Sequence, residues 1–279
     1  MIKPDAGVNT LGLLVPNWPA PENVRALNTT RISLQAKTSH VPVLADYAAF
    51  NLALHVGDDP ASVLSNRSQL AEYLELNERD IAWLEQVHGT DVIKADLAVQ
   101  RNDAAPMQAD ASFTSQTGIA CSIMTADCLP VLFCNLPEQD EQQHVAAAHA
   151  GWRGLASGIL TKTLSRFPRA DRVIAWLGPA ISQKHFEVGH EVYCAFVEKN
   201  PQSSRAFVPA NAEAKLPSPT SEAKWLASLT RLAKIELEAA GIKAIYGGEH
   251  CTFGEKKLFY SYRRDGEKSG RMASIIFIE

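Results

Sequence analysis

Three side chains able to hold a metal ion stand where the chain pattern breaks: His88 in "LEQVHGTDV", Cys128 in "MTADCLPVLF" and His149 in "HVAAAHAGWRGLASGIL". Two imidazoles and a thiolate suit zinc, and three protein donors leave one position open for water or substrate. The three lie far apart with no HExxH or CxxC spacing, so spacing alone does not single out a metal site. Cys128 taken alone reads more simply as a small buried hydrophobe, and the apolar surroundings of Cys121, Cys134 and Cys194 suit that role better still.

His149 ends the apolar run Val145 to Ala148, and Gly151-Trp152-Arg153-Gly154 follows before a pattern of helical period begins. A strand end that meets a helix start exposes backbone N–H groups, and the helix dipole there favours an anion. The glycines admit close approach to the backbone, and Arg153 adds a fork suited to phosphate or carboxylate. A core histidine bonded to a carbonyl, beside a turn built from glycines, accounts for the same stretch equally well.

The elements that must carry these residues are short. "NVRALNTTRISL" and "FNLALHV" read as strands; in the second, alternation puts Leu52, Leu54 and Val56 on one face and Asn51, Ala53 and His55 on the other. "GDDPASVLSNRSQLAEYLEL" reads as a helix capped by Asp58 or Asp59, with Pro60 early and Val63, Leu64, Leu70 and Leu74 on its apolar stripe. "IAWLEQVHGTDVIKA" reads as two strands around a Gly89 turn, which puts His88 at a hairpin tip. "GIACSIMTADCLPVLFCN" reads as a strand, a kink at Thr125 to Asp127, and a second strand opening with Pro130. A helix begins near Leu155, the strand "DRVIAWLGPA" follows, and Ala206 to Thr220 reads as a surface loop. A second amphipathic helix runs from about Glu222 to Ala240, with Leu226, Leu229, Ala233 and Leu237 inward and Gly241 as its stop. The tail ends in a strand. With no regular βαβ rhythm, the chain reads as a single α+β domain over residues 1–279.

The bulk properties agree with that class. Hydrophobic residues make up 46% and charged residues 21%, which is ordinary for a globular protein. A net charge of −4 with no basic run argues against nucleic acid as a partner. No window reaches the roughly 18 apolar residues that a membrane span requires, and the N-terminus lacks a signal-peptide pattern. Five cysteines without a CxxC pair imply no disulfide framework, hence a reducing, cytoplasmic compartment.

Eight blocks in register, "FNLALHVGDD", "WLEQVHGTDV", "MTADCLPVLF", "AAHAGWRGLASGIL", "WLGPAISQKHFEVGHEV", "GEHCTF", "FYSYRRDG" and "SGRMASIIFI", resemble the bacterial multicopper polyphenol oxidase (laccase-domain) family. Its members are described as zinc-dependent purine nucleoside phosphorylases with adenosine deaminase activity. The resemblance implies His88, Cys128 and His149 as metal ligands. It also implies one domain with two mixed β-sheets flanked by helices, similar to a toxin deamidase (cysteine-hydrolase-like) fold. The implied partners are purine nucleosides and phosphate, with no membrane and no obligate protein partner. The chain departs from the family pattern ahead of the "NL" segment, where "SLQAKTSHVPVLADYAAFN" replaces a short Gly-rich turn.

Phosphorolysis of adenosine, inosine or methylthioadenosine cleaves the bond between sugar and base through an oxocarbenium-like centre. It needs an anion site, for which Arg153, Arg263 and Arg264 are candidates, with surface salt bridging as the plainer fate of the Arg263–Arg264 pair. Asn51 is the candidate for sugar hydroxyls. Deamination needs a metal-activated water and a proton shuttle; Asp127, His55 and Glu187 are its candidates, though each also reads as a turn, strand-face or capping residue. Three rivals stand beside this reading. One is a copper-dependent polyphenol oxidase, for which Cys and His donors are suitable although eight histidines form no His-x-His pair. Another is a metal-free cysteine hydrolase using Cys128, with His88 or His149 as base. The third is a structural zinc site closed by His250 or Cys251.

Overall fold

Period-two alternation in the central strands sorts side chains to three apolar layers. In the computed structural model, which describes residues 8–9, 11–32, 34, 47, 50–100, 105–215 and 220–279, the largest sheet has six strands. Its order is β14 (Ala244–Gly247), β10 (Val173–Leu177), β8 (Leu129–Asn135), β9 (Val145–Ala150), β6 (Ala111–Thr114) and β4 (Val92–Lys94). A four-stranded sheet has the order β1 (Val24–Asn28), β15 (Met272–Ile278), β7 (Ala120–Thr125) and β2 (Ile81–Ala82). Both are mixed: β10 runs parallel to β14, β4 to β6 and β2 to β7, and the other pairs are antiparallel.

Leu132, Cys134, Val145, Ala147, Ile174 and Trp176 of the large sheet meet Cys121, Ile123, Ile276 and Ile278 of the smaller one, forming the layer between the sheets. The alternate residues Val131, Phe133, Ala146, Ala148 and Ala175 pack under α3 (Trp152–Ala156), α4 (Ile159–Leu164), α5 (His190–Val197) and α6 (Leu229–Ala239). On the outer face of the smaller sheet, Ala120, Ile275 and Phe277 take Leu70, Ala71 and Leu74 of α1 (Pro60–Leu74). This is the expected α+β class, two mixed sheets flanked by helices. A three-stranded antiparallel sheet, β11 (Glu187–Gly189), β13 (Lys224–Ala227) and β12 (Phe207–Pro209), and a parallel pair, β3 (Leu84–Glu85) and β5 (Met107–Gln108), complete it. All five cysteines are free, with Cys121 and Cys134 buried and Cys194 half-buried beside His190. No helix among the described residues is long and apolar enough to cross a membrane.

Local chemistry sets several boundaries where the sequence places them. Asp59 accepts from the Ser62 N–H at 3.0 Å, Pro60 follows, and α1 starts there. Gly241 in the left-handed region, φ +95°, ends the run after α6. Other boundaries differ. "FNLALHV" is not a strand: the Asn51 side chain bonds both the N–H and the carbonyl of Ala53, at 3.1 Å each, and takes the place of a strand ladder. Phe50 to Ala53 are therefore all buried, while Leu54 and His55 sit on an exposed turn rather than alternating.

The strands flanking Gly89 do not pair with each other; β3 pairs with β5 and β4 with β6, so His88 lies on a crossover loop and not at a hairpin tip. The helix after His149 begins at Trp152 and breaks at Gly158, φ +88°, into two short pieces. The stretch from Glu222 contributes β13 before α6 begins at Leu229, and Phe207–Pro209 within the expected loop forms β12. The insertion ahead of "NL" lies largely outside the described residues.

The apolar stripe of α1 also shifts. Leu64 is 47% exposed, whereas Arg67 is buried with its Nε donating to the Leu52 carbonyl at 2.9 Å. Replacing Leu70 with Ala is expected to cost about 2–5 kcal/mol by opening a cavity beneath the smaller sheet, and Leu64→Ala to change stability by less than about 0.5 kcal/mol. Urea unfolding of the two variants checks the assignment.

Candidate metal centre and its cavity

Asp110, one residue ahead of β6, is fully buried and bonded on every side. Its Oδ1 accepts from His149 Nδ1 at 2.8 Å and from the His88 N–H at 2.9 Å; its Oδ2 accepts from the N–H groups of Gly89, at 2.6 Å, and Val87, at 3.2 Å. The Asp110 carbonyl accepts the His149 N–H at 2.7 Å. One carboxylate thus ties the end of β9 to the loop that carries His88. With Nδ1 committed to a carboxylate, His149 has Nε2 as its remaining lone pair, the arrangement that orients metal-binding histidines.

His88 adopts the left-handed conformation, φ +58°, and its Nε2 lies 3.8 Å from Cys128 Sγ. The two imidazoles meet edge-on with centroids 4.7 Å apart. Cys128 sits on the kink between β7 and β8, and one donor atom from each of His88, Cys128 and His149 lies within 4.8 Å of the others. A Cβ on Gly151 would stand 3.1 Å from Cys128 Sγ and 3.0 Å from the His88 ring. A Cβ on Gly154 would meet the Gly89 carbonyl at 2.8 Å. Both glycines are needed for space, so the start of α3 closes directly on the donors. The anion-favouring dipole expected from that helix is small, because α3 has only five residues.

Burial raises the Cys128 thiol, but His149 and His88 more than offset it and hold the thiol at about 6. Burial works against the His149 imidazolium, yet Cys128 and Asp110 lift it to about 9. A half-buried thiolate paired with a buried imidazolium and backed by a carboxylate is a donor set that exchanges its remaining proton for a cation. The set opens on a cavity of about 460 Å³. Trp152, Phe186, Tyr262, Ile181 and Met124 give it apolar walls, and Arg153, Arg263, Arg271 and His55 give it cationic or titratable ones.

The chain matches the family model described as "Multi-copper polyphenol oxidoreductase laccase" over residues 36–279. It belongs to that laccase-like family. A purine nucleoside phosphorylase of Pseudomonas aeruginosa is 43% identical over 95% of this chain and 98% of its own length. The purine nucleoside phosphorylase YfiH of Escherichia coli is 42% identical over the same shares. Among solved structures, a Neisseria meningitidis protein superposes with a TM-score of 0.82 at 40% identity, covering 96% of this chain and 99% of the other. YlmD from Geobacillus stearothermophilus superposes at 0.77 with 29% identity, covering 97% of each chain.

Within this laccase-like fold the site residues expected from sequence divide sharply. His88, Cys128 and His149 converge. Arg153 lines the cavity, its guanidinium stacked 4.4 Å from the Trp152 ring. Arg263 also lines it and donates from Nη1 to the carbonyls of Glu187, at 3.1 Å, and His185, at 3.4 Å. Arg264 does not reach the cavity: its guanidinium is spent on Asp265 and on the carbonyls of Thr252, Phe253 and Phe259, which removes it as a phosphate ligand. Asn51 is likewise spent. Its amide donates to Ala53 and Asp58 and accepts from the N–H groups of Ala53 and Arg271, so no capacity remains for sugar hydroxyls.

Asp127, at φ +96°, lines the cavity, but its carboxylate accepts from Thr252 at 2.6 Å, Ser261 at 3.0 Å and the Arg263 N–H at 2.6 Å. His55 lines the cavity from its exposed turn, and burial, Arg271 and Arg67 all lower its pKa. Glu187 is exposed on β11 and is not among the lining residues. His250 and Cys251 do not join the donors; His250 pairs with Glu255 at 2.8 Å and Cys251 contacts Ser182 at 3.0 Å.

Sequence reading missed Asp110, Gln86, Tyr262 and Arg271. Gln86 exchanges two 2.8 Å bonds with the Met124 backbone and so fixes the start of the His88 loop. The signal for Asp110 is an acid between alanines ahead of the short segment Ala111–Thr114; it lies 22 residues from His88 and 39 from His149, beyond any motif spacing.

Two outcomes follow from this geometry. Asp110→Asn should weaken metal binding about 10- to 100-fold with the three donors intact. Between the two titrations, at about 6 and about 9, the free pair keeps one proton, which a bound metal must displace. Affinity should therefore rise about tenfold per pH unit across that window, more steeply below it and little above it. Chelator competition at several pH values checks both.

Proposed function

We propose that this chain, acting as one domain over residues 1–279 in the cytoplasm, is a zinc-dependent purine nucleoside phosphorylase that also deaminates adenosine. The observation that carries the reading is a three-donor S,N,N set facing a cationic cavity, with no fourth Cys, His or carboxylate joining it among the described residues. Structural zinc sites are normally closed by four protein ligands, whereas three suit a catalytic ion with an open position. The names of the relatives support nucleosides and phosphate as substrates. Adenosine, inosine and methylthioadenosine are the proposed nucleosides.

Zinc held by His88, Cys128 and His149 would supply Lewis acidity toward an oxygen of phosphate, water or substrate. The protein's own groups do the rest. Trp152, Phe186 and Tyr262 give aromatic faces against which a purine can stack. Arg153 and Arg263 add positive charge to the cavity wall, which favours an anionic substrate entering it. His55, whose pKa burial, Arg271 and Arg67 lower, is placed to take or give a proton at the cavity wall. Asp127 acts as a positioning residue: its carboxylate holds the Arg263 backbone and Ser261 against the β7–β8 kink that carries Cys128.

Two rival chemistries share these residues. Copper binds the same donors more tightly on intrinsic affinity, which would give phenol oxidation as a side activity. The lowered Cys128 thiol beside a raised His149 favours a second reading, a metal-free cysteine hydrolase with Cys128 as nucleophile and His149 as base.

Metal-quantified protein given adenosine with and without phosphate separates these readings. Base release that requires phosphate, together with inosine formation, should vanish in Cys128→Ala and return in zinc-restored but not metal-stripped wild type. Turnover that survives metal removal would point to the hydrolase, and a zinc-loaded wild type inert to nucleosides would overturn the proposal.

A further inference from the structure

We propose that Arg271 seats the phosphate, holding it between the metal centre and His55; this rests on the phosphorolysis reading and assigns its anion subsite. Arg271 stands at the mouth of β15 and lines the cavity. Its backbone N–H donates to Asn51 Oδ1 at 2.9 Å, and its Nη1 donates to the carbonyls of Ser269, at 2.5 Å, and Gly270, at 3.1 Å. The guanidinium carbon lies 5.8 Å from the centre of the Tyr262 ring. One edge of the fork is thereby fixed, while Nε and Nη2 have no protein acceptor among the described residues.

Among the described residues no carboxylate forms an ion pair with this cation: Asp127 is the one acidic residue there that lines the cavity, and both of its oxygens are engaged by Thr252, Ser261 and the Arg263 N–H. Burial lowers the pKa of Arg271, and the chief opposing influence is the Cys128 sulfur, followed by Asp127. Arg271 and the three candidate metal ligands line the same cavity. Burial, Arg271 and Arg67 all lower the pKa of His55, and Arg67 is itself buried over the Trp83 ring at 4.0 Å. The cavity thus holds a pre-fixed, partly desolvated guanidinium together with an imidazole whose pKa is lowered, a setting in which a tetrahedral dianion gains charge-assisted bonds.

The other two arginines are placed differently. Arg153 is exposed and stacked on Trp152, and Arg263 spends Nη1 on two carbonyls of the segment leading into β11. Both fit the outer part of the cavity better than the metal side. Asn51, expected from sequence to touch the sugar, instead serves as the clamp that sets the Arg271 backbone.

The test begins with zinc-loaded wild type and inorganic phosphate, without any nucleoside. Modification by phenylglyoxal, read by peptide mass spectrometry, should slow at Arg271 when phosphate is present and stay unchanged at Arg153. In turnover assays, Arg271→Met should raise the phosphate KM about ten- to a hundredfold while zinc content and nucleoside KM hold, with Arg271→Lys in between. Protection of Arg153 rather than Arg271, or an unchanged phosphate KM in a folded Arg271→Met protein, would overturn the assignment. Should Arg271→Met fail to fold, the protection experiment on wild type decides. Phosphate protection of Arg271 in a protein that leaves nucleosides intact would uphold the anion site and sink the nucleoside reading instead.

Discussion

The geometry of the candidate metal centre depends on a single buried carboxylate. Asp110 has no exposure to solvent, and an ionised group so placed is tolerated only if its lone pairs are all answered. Four donors answer them: the His149 ring and three successive backbone N–H groups, Val87 to Gly89. Because these come from a central strand and from a crossover loop, satisfying the charge is the same act as bringing two ligands together. Removing the carboxylate would leave those donors unpaired and release the loop from the sheet. Gly151 and Gly154 complete the constraint by letting the following helix close over the donors without a side chain between.

A second buried carboxylate works next to the cysteine in the chain. Asp127 adopts a left-handed conformation, unusual outside glycine, and its three acceptor bonds draw the segments around Thr252 and Ser261 toward the β7–β8 kink. Local strain of this kind persists only where neighbouring bonds hold it. The two aspartates thus divide the labour: one fixes the nitrogen donors, and the other fixes the cysteine's turn together with the cationic wall that faces it.

Much of the framework was legible because it is written in local chemistry. An aspartate before a proline opens α1, Pro130 follows the kink, and alternating small and branched residues mark β7, β8 and β9. The three donors were visible as residue types but not as a site, because strand order and crossovers bring them together and spacing does not record those. Failures arose where a side chain overrode a period. Asn51 consumed the backbone bonds that "FNLALHV" needed to be a strand, and "EAKWLASL" joined a sheet with β11 and β12 before its helical period took over. The adjacent arginines could not be told apart from sequence, since only the fold turns Arg263 toward the cavity and spends Arg264 on carbonyls.

His149 is almost wholly buried and held by Asp110, whereas His88 is exposed on a loop that five backbone and side-chain bonds secure. An ion shared by these residues therefore has one anchored ligand and one facing water. Were an ion bound there, the donor nearest the surrounding solution would be the His88 imidazole and the donor farthest from it the His149 imidazole, so arrival and departure of the ion would involve the outer ring more than the inner one.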